Sequence, residues 1–354
     1  MWSQFFIKPL MKKDSVDREM EAVDSEFNNF KTDDSSRKLQ IIQECIYKPN
    51  HPMTNFMLGN LVSLKEEQKA NGKCAHEELH KWYPNNYSPK WMNLVLQSPH
   101  KLDELEKMAV DMFGPIIAQN DNLQCPANEP DYQEKAFDSI SRLIRYVPIH
   151  DTNEIDLMFP LKPQQKHYKI KPTHYLGWLI GHEGKGSLMS LLKKRDWAHE
   201  IYAGNGGQGH EDNKYSTDFS VNIRLTDSGL ENWSDVVKTI FEYINLLKNL
   251  SQTEEERIFS EIQKIENLNW VSKEEKSSYD NVEEIAESMP LFPSEDWLRG
   301  TTLIMDYDTN VIRYLYHEIL LVLPGIFISN SQNRFTTREI VMTHLNILGS
   351  VWMA

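Results

Sequence analysis

A few clusters of residues in this 354-residue chain have the types and spacing that chemistry requires. Glu19 and Glu26 lie seven residues apart. On a helix that is two turns, so the two carboxylates share one side. They border an apolar stripe of Val16, Met20, Val23, Phe27 and Phe30, spaced 4, 3, 4, 3. Carboxylates beside a buried stripe are costly unless a cation, a metal or a proton compensates. Pattern alone leaves two readings open: acid residues edging an amphipathic helix, or oxygen ligands for a cation. His76-Glu77-Glu78-Leu79-His80 matches H-E-x-x-H, which on a helix sets two imidazoles one turn apart for zinc. Its surroundings, Lys73, Glu78, Lys81 and a nearby Pro84, read as a solvated charged helix instead. Gly204-Asn205-Gly206-Gly207-Gln208-Gly209 matches G-x-G-x-x-G, but no helix follows to receive a pyrophosphate. A flexible Gly-rich loop before an edge strand is the reading we take. Gly184-Lys185-Gly186 is not a P-loop: Leu179 stands where the first glycine belongs, and Gly186 replaces the Ser or Thr after the lysine.

The elements that must hold these residues alternate between helix and strand. Helices are expected over 16–30, 35–47, 73–83 (stopped by Pro84), 102–113, 173–181, 188–197 and from Trp233 to Leu247, with another around Ile258 to Leu268. Strands are expected at 92–97, 142–148, 154–160 and 219–225, the last alternating Phe219, Val221, Ile223 and Leu225 with polar residues. Residues 114–135 gather Pro115, Pro126 and Pro130 among Asn and Asp, which reads as a linker. Strand–helix mixture on both sides of it implies an α+β class, with antiparallel sheets packed against helices.

Composition bounds the function. Lys and Arg number 38 against 52 Asp and Glu, a net charge of −14, which argues against nucleic-acid binding. No run of about 18 apolar residues occurs, so no membrane span is expected. Cys45, Cys74 and Cys125 form neither a disulfide framework nor a CxxC site, so a reducing, cytoplasmic setting is expected. The N-terminus opens at once on Trp2, Phe5, Phe6 and Ile7, without the basic start or cleavage site of a signal peptide. It reads as the stub of a longer protein.

The string Asp17-Arg18-Glu19-Met20-Glu21-Ala22-Val23-Asp24-Ser25-Glu26 resembles the segment that carries the third zinc ligand in the inverzincin metalloproteases, the family of insulin-degrading enzyme and nardilysin. Further matches keep family order. They include Phe5 to Leu10, His51-Pro52 to Gly59-Asn60, Tyr87-Ser88, Val147-Pro148-Ile149, His174-Tyr175-Leu176, Gly181-His182-Glu183-Gly184-Lys185-Gly186-Ser187, Gly204-Asn205-Gly206 and Leu225 to Gly229. The resemblance covers about residues 1–320, and Glu21-Ala22 with Gly184–Ser187 leans toward the nardilysin branch.

The resemblance implies tandem metalloprotease-type domains. Residues 1–115 would be the later part of an incomplete catalytic-type domain and 116–134 a linker. Residues 135–320 would be a second, inactive-type domain with an exosite, and 321–354 a divergent tail. It implies a zinc metalloendopeptidase that hydrolyses peptide bonds by zinc-activated water and prefers basic peptides, with an acidic chamber to suit them. Glu26 would be the zinc ligand and Glu19 a nearby carboxylate beyond the first ring of ligands. Gly181, His182, Gly186, Ala203, Gly204, Asn205 and Gly206 would form the exosite that grips peptides by strand addition. The family's H-x-x-E-H does not occur among the 354 residues, so the other two zinc ligands and the general base are expected from missing N-terminal sequence, and chamber contacts from a missing C-terminal part. This chain alone is then expected to be inactive, or to act as a non-catalytic module that binds peptides or partners.

Overall fold

The computed structural model describes residues 2–117, 136–137, 142–206, 209–322 and 324–330. In chain order they form α1 (Gln4–Ile7), α2 (Lys13–Phe30), α3 (Asp34–Cys45), α4 (Glu67–Ala70), α5 (Ala75–Asn86) and α6 (Leu102–Phe113). Then come β1 (Arg142–Tyr146), β2 (Glu154–Leu161), α7 (Pro172–Gly181), α8 (Leu188–Lys194), β3 (Ala198–Gly204) and β4 (Thr217–Leu225). The rest are α9 (Asp227–Glu231), α10 (Trp233–Lys248), α11 (Gln252–Val271), α12 (Ser278–Ser288), α13 (Thr309–Leu321) and β5 (Gly325–Ser329). Among the described residues no helix is long and apolar enough to cross a membrane.

The chain divides into two compact units that do not follow chain order. The first comprises Met1–Arg37, Phe56–Gln133 and Glu274–Thr301; the second Lys38–Asn55, Glu134–Lys273 and Thr302–Ala354. The expected linker lies mostly outside the described residues.

In the first unit the described residues are helices and loops. Most of the α2 stripe packs as its spacing predicts: Met20 is buried, Val16, Val23 and Phe27 are half-buried, and Phe27 meets Phe56 edge to face at 5.5 Å, but Phe30, at the end of the helix, is exposed. The Asp24 carboxylate accepts the Leu61 N–H at 2.9 Å and ties α2 to the following loop. Two expectations fail here. Residues 92–97 are not assigned to a strand, because no strand among the described residues offers them a ladder. The helix over 73–83 does not stop at Pro84. It runs to Asn86, with the Asn85 and Asn86 amides donating to the Lys81 and Trp82 carbonyls at 3.0 and 2.8 Å in its last turn.

The second unit is built on a five-stranded sheet of order β1-β5-β2-β4-β3. Every pairing is antiparallel except β1 with β5. Alternation sorts its two faces. Ile155, Leu157, Phe159, Phe219, Val221, Ile223, Ile326 and Ile328 point into a core shared with α7, α8, α10, α11 and α13. Pro160 sits in β2 beyond the last residue paired with β5, so its missing N–H breaks no ladder bond on that side. Glu255 of α11 is buried and accepts hydroxyls from Tyr307 and Thr309, at 2.8 and 2.6 Å, fixing the approach to α13.

The opposite face of the sheet presents Ile144, Met158 and Phe327, but also Asp156 and Asp218, both buried. Cys45, Ile46, Tyr47 and Met53 cover it. Lys38 reaches Asp156 at 2.5 Å, and the Tyr47 hydroxyl donates a short hydrogen bond to Asp218. Burial disfavours the Lys38 ammonium, yet Asp156 beside it prevails and holds its pKa above the ordinary value. Burial pushes the Asp218 carboxyl up from 3.8 to about 7; the Tyr47 hydrogen bond opposes this, and Glu211 and Asp212 add to it.

Two predictions follow from this contrast. Among the described residues, the buried apolar side chains of the first unit are Met20 and Tyr83. Amides of α2, α5 and α6 should therefore exchange about 100-fold faster than those of β2 and β4 in native-state hydrogen exchange; equal protection would contradict the assignment. A native carboxyl titrating near 7 keeps a proton that the unfolded chain has released above 3.8, so its contribution to stability falls as pH rises between those values. Asp218→Asn keeps an acceptor for Tyr47 and should flatten that part of the urea-midpoint profile against pH. A profile with the same slope would remove Asp218 as its source.

Candidate functional site

Glu19 and Glu26 both lie on the exposed side of α2, two turns apart, with neither carboxylate buried. The helix is placed by Met20 and by Asp24, so the carboxylates are presented rather than enclosed. Among the described residues no three His, Cys, Asp or Glu side chains converge as a metal cage would require. His76 and His80 do meet: their Nε2 atoms are 3.1 Å apart on α5, while Glu78 pairs with Lys81 at 2.7 Å.

Several of the residues expected to form an exosite lie at one margin of the second unit. β3 ends the sheet, with β4 on one side and no described strand on the other. Ala203 and Gly204 are its last residues, and Asn205 and Gly206 continue from it. The glycine loop therefore follows the edge strand, closing the β3–β4 hairpin, instead of preceding it. β4 is an interior strand. Gly207 and Gln208 lie outside the described residues.

α7 lies against this strand. A Cβ on Gly177 would stand 2.7 Å from the Ala203 carbonyl oxygen and 3.1 Å from the Gly204 Cα, so only glycine permits the approach. A Cβ on Gly181, the last residue of α7, would stand 3.8 Å from the Ala203 nitrogen. The structure thus brings Gly181, Ala203 and Gly204 together. His182 follows, exposed, with its ring stacked on Trp178 at 5.1 Å. Gly186 sits in an exposed turn at φ +86°, ahead of the Ser187 cap that opens α8. A Cβ there would meet nothing within 4 Å, and among the described residues no contact joins Gly186 to the end of β3. Gly177 is a residue that reading motifs overlooks: its neighbours in sequence are helical and apolar, and only the tertiary approach of β3 reveals the need for glycine.

Two carboxylates near this edge are matched by bases. Glu200 of β3 pairs with Arg224 at 3.2 Å, and Glu183 pairs with Lys193 at 2.8 Å. The Glu211 carboxylate lies directly over Gly206, where a Cβ would collide with it. The Tyr202 ring stands 63% exposed on β3, a large apolar surface at a strand edge.

The profile of the Peptidase M16 inactive domain matches residues 73–264. This chain belongs to the peptidase M16 family. Nardilysin of Rattus norvegicus is 39% identical over 321 residues, covering 90% of this chain and 27% of the relative. A nardilysin-like protein of Arabidopsis thaliana is 36% identical over 314 residues, 89% of this chain and 30% of its own length. The crystal structure of pitrilysin superposes with a TM-score of 0.82 at 25% identity, over 94% of this chain and 34% of that one. The α+β architecture with a mostly antiparallel sheet is thus a peptidase M16 fold. The chain spans about a quarter of the length of the nardilysins it matches. Metalloproteases of this family use zinc, but Glu19 and Glu26 do not fit a catalytic zinc centre by themselves. Exposed Glu19 and Glu26 on one helix offer carboxylates without imidazoles beside them.

Gly177→Ala should force β3 away from α7 and lower stability by about 1–3 kcal/mol in urea denaturation. An unchanged midpoint would show that the strand yields freely.

Proposed function

We propose that this chain is the peptide-gripping part of a peptidase M16-type zinc metalloendopeptidase and does not catalyse by itself. The observation that carries the reading is β3: an edge strand whose end is opened by Gly204 and Gly206 and braced from one side through Gly177 and Gly181. An extended peptide laid along β3 would be held by backbone hydrogen bonds, with little demand on its sequence. Gly181, His182, Gly186, Ala203, Gly204, Asn205 and Gly206 form this exosite. The net charge of −14 and the Glu211 carboxylate over Gly206 favour basic peptides.

Hydrolysis then belongs to a larger protein. Glu26 supplies a zinc ligand and Glu19 a supporting carboxylate, while the two imidazoles and the general base come from an H-x-x-E-H segment outside these 354 residues. The scattered cysteines suit a reducing, cytoplasmic setting. A second reading, a self-standing module that binds peptides or partners without any protease attached, is favoured by the match to the inactive domain over residues 73–264.

Fluorescence anisotropy with labelled extended peptides tests the grip. A basic peptide should bind and remain uncleaved. Methylating its backbone nitrogens should weaken binding at least about tenfold, whereas shuffling its residues should not. Equal affinity after methylation would exclude strand addition. Chelator-sensitive cleavage by this chain alone would exclude the non-catalytic reading. In a protein extended to include H-x-x-E-H, Glu26→Gln should lower bound zinc; unchanged zinc would remove Glu26 as a ligand.

A further inference from the structure

α5 presents one face to the N-terminal segment. His76, His80 and Tyr83 recur at intervals of 4 and 3, a single helical stripe. The Tyr83 hydroxyl donates to the Phe6 carbonyl at 3.0 Å. One turn earlier, His76 Nε2 lies 2.9 Å from the Met11 carbonyl oxygen, and His80 Nε2 lies 3.1 Å from His76 Nε2. Met11 is a non-glycine residue at φ +38°, a backbone conformation that costs of order 1 kcal/mol. Two imidazole nitrogens and a carbonyl oxygen from a strained residue therefore meet at one place.

Proton counting makes this cluster unusual. The gap between the two Nε2 atoms holds a single proton. If His76 carries it, that N–H must serve both Met11 and His80, a divided and weak bond. If His80 carries it, the His76 lone pair faces the Met11 carbonyl lone pairs. If both carry one, two N–H groups face each other. A cation bound by all three lone pairs removes each conflict. The distances suit it as well. Two ligands bound at about 2.0–2.1 Å stand about 2.9 Å apart at a right angle and about 3.3 Å apart in a tetrahedron. The observed 3.1 and 2.9 Å fall in that range.

We propose that His76, His80 and the Met11 carbonyl form a chelate for one borderline divalent cation, which clips the N-terminal segment onto α5. His80 is exposed and His76 half-buried, so an ion can enter and water can complete its shell. Imidazole ligands select Cu(II), Ni(II) and Zn(II) over Mg(II) and Ca(II). The site is not a catalytic zinc centre: Glu77 points about 100° round the helix from His76 and is exposed. It is also separate from Glu19 and Glu26, and it does not depend on the peptide-gripping reading.

The test uses the untagged chain and the metal chlorides alone. Calorimetry should give one Cu(II) or Zn(II) per chain, with Cu(II) tighter and Mg(II) silent. His80→Ala, at an exposed position, should weaken binding at least about tenfold, as should His76→Ala. His174→Ala, in the other unit, should leave it unchanged. Bound Cu(II) should show coupling to two nitrogens in its paramagnetic resonance spectrum. Zn(II) should slow hydrogen exchange in residues 4–11 in the wild type but not in His80→Ala. Absence of one-to-one binding, or binding indifferent to His80→Ala, would overturn the chelate. Exchange in residues 4–11 that ignores the ion would overturn the clip.

Discussion

The second unit depends on how two buried carboxylates are satisfied. Asp156 and Asp218 stand on the face of the sheet away from the main helices, in neighbouring strands β2 and β4. A carboxylate without a partner in such a place is strongly disfavoured. Lys38 and Tyr47 provide the partners from one short stretch of chain, and Ile46 and Met53 bring apolar cover beside them. The pairing makes position specific as well as stable. An apolar segment could slide on Ile144, Met158 and Phe327, whereas an ammonium and a phenol hydroxyl must each find one carboxylate. With that face closed and the other filled by helices, β3 remains the open margin beside β4, which is where the glycines gather.

Much of this was legible locally. Helical spacing gave α2, α6 and α10 closely, and the alternation from Phe219 to Leu225 gave most of β4. Periodicity works there because each element has one wet and one dry side. It fails for β5, whose five residues are all buried and show no alternation, and which pairs with strands far earlier in the chain. β5 lies in the stretch read as divergent, yet it is inserted between β1 and β2. Residues 92–97 show the converse: their residue types suit a strand, but a strand also needs a neighbour. Tyr47 and Asp218 are 171 residues apart, and nothing near either residue announces the bond.

The site was legible by residue type more than by contact. Gly204 and Gly206 stand out in any reading of the chain, but the loop they open follows the edge strand β3 and leads into an interior strand, where the pattern had placed it before an edge. Gly177 did not stand out, because the surface it must clear belongs to residues 203 and 204. H-E-x-x-H offers a sharper lesson. Spacing correctly put His76 and His80 on one face of a helix, but the same spacing serves a protease only if a third side chain and an aligned base complete it. Here the nearest third donor is a backbone carbonyl, a contact that no motif encodes.

The interleaving of the two units also bears on how the protein can be divided. Residues 38–55 precede the proline-rich stretch near 116–134 but belong with the sheet that follows it, and Glu274–Thr301 returns to the first unit. Cutting the backbone in that stretch would not release two self-sufficient halves. The later fragment would carry Asp156 and Asp218 without Lys38 or Tyr47, and the earlier one a lysine and a tyrosine without their carboxylates. Such fragments should behave as complementing partners, each completing the other's fold on mixing. The most obvious seam in the sequence is therefore a poor place to take the molecule apart.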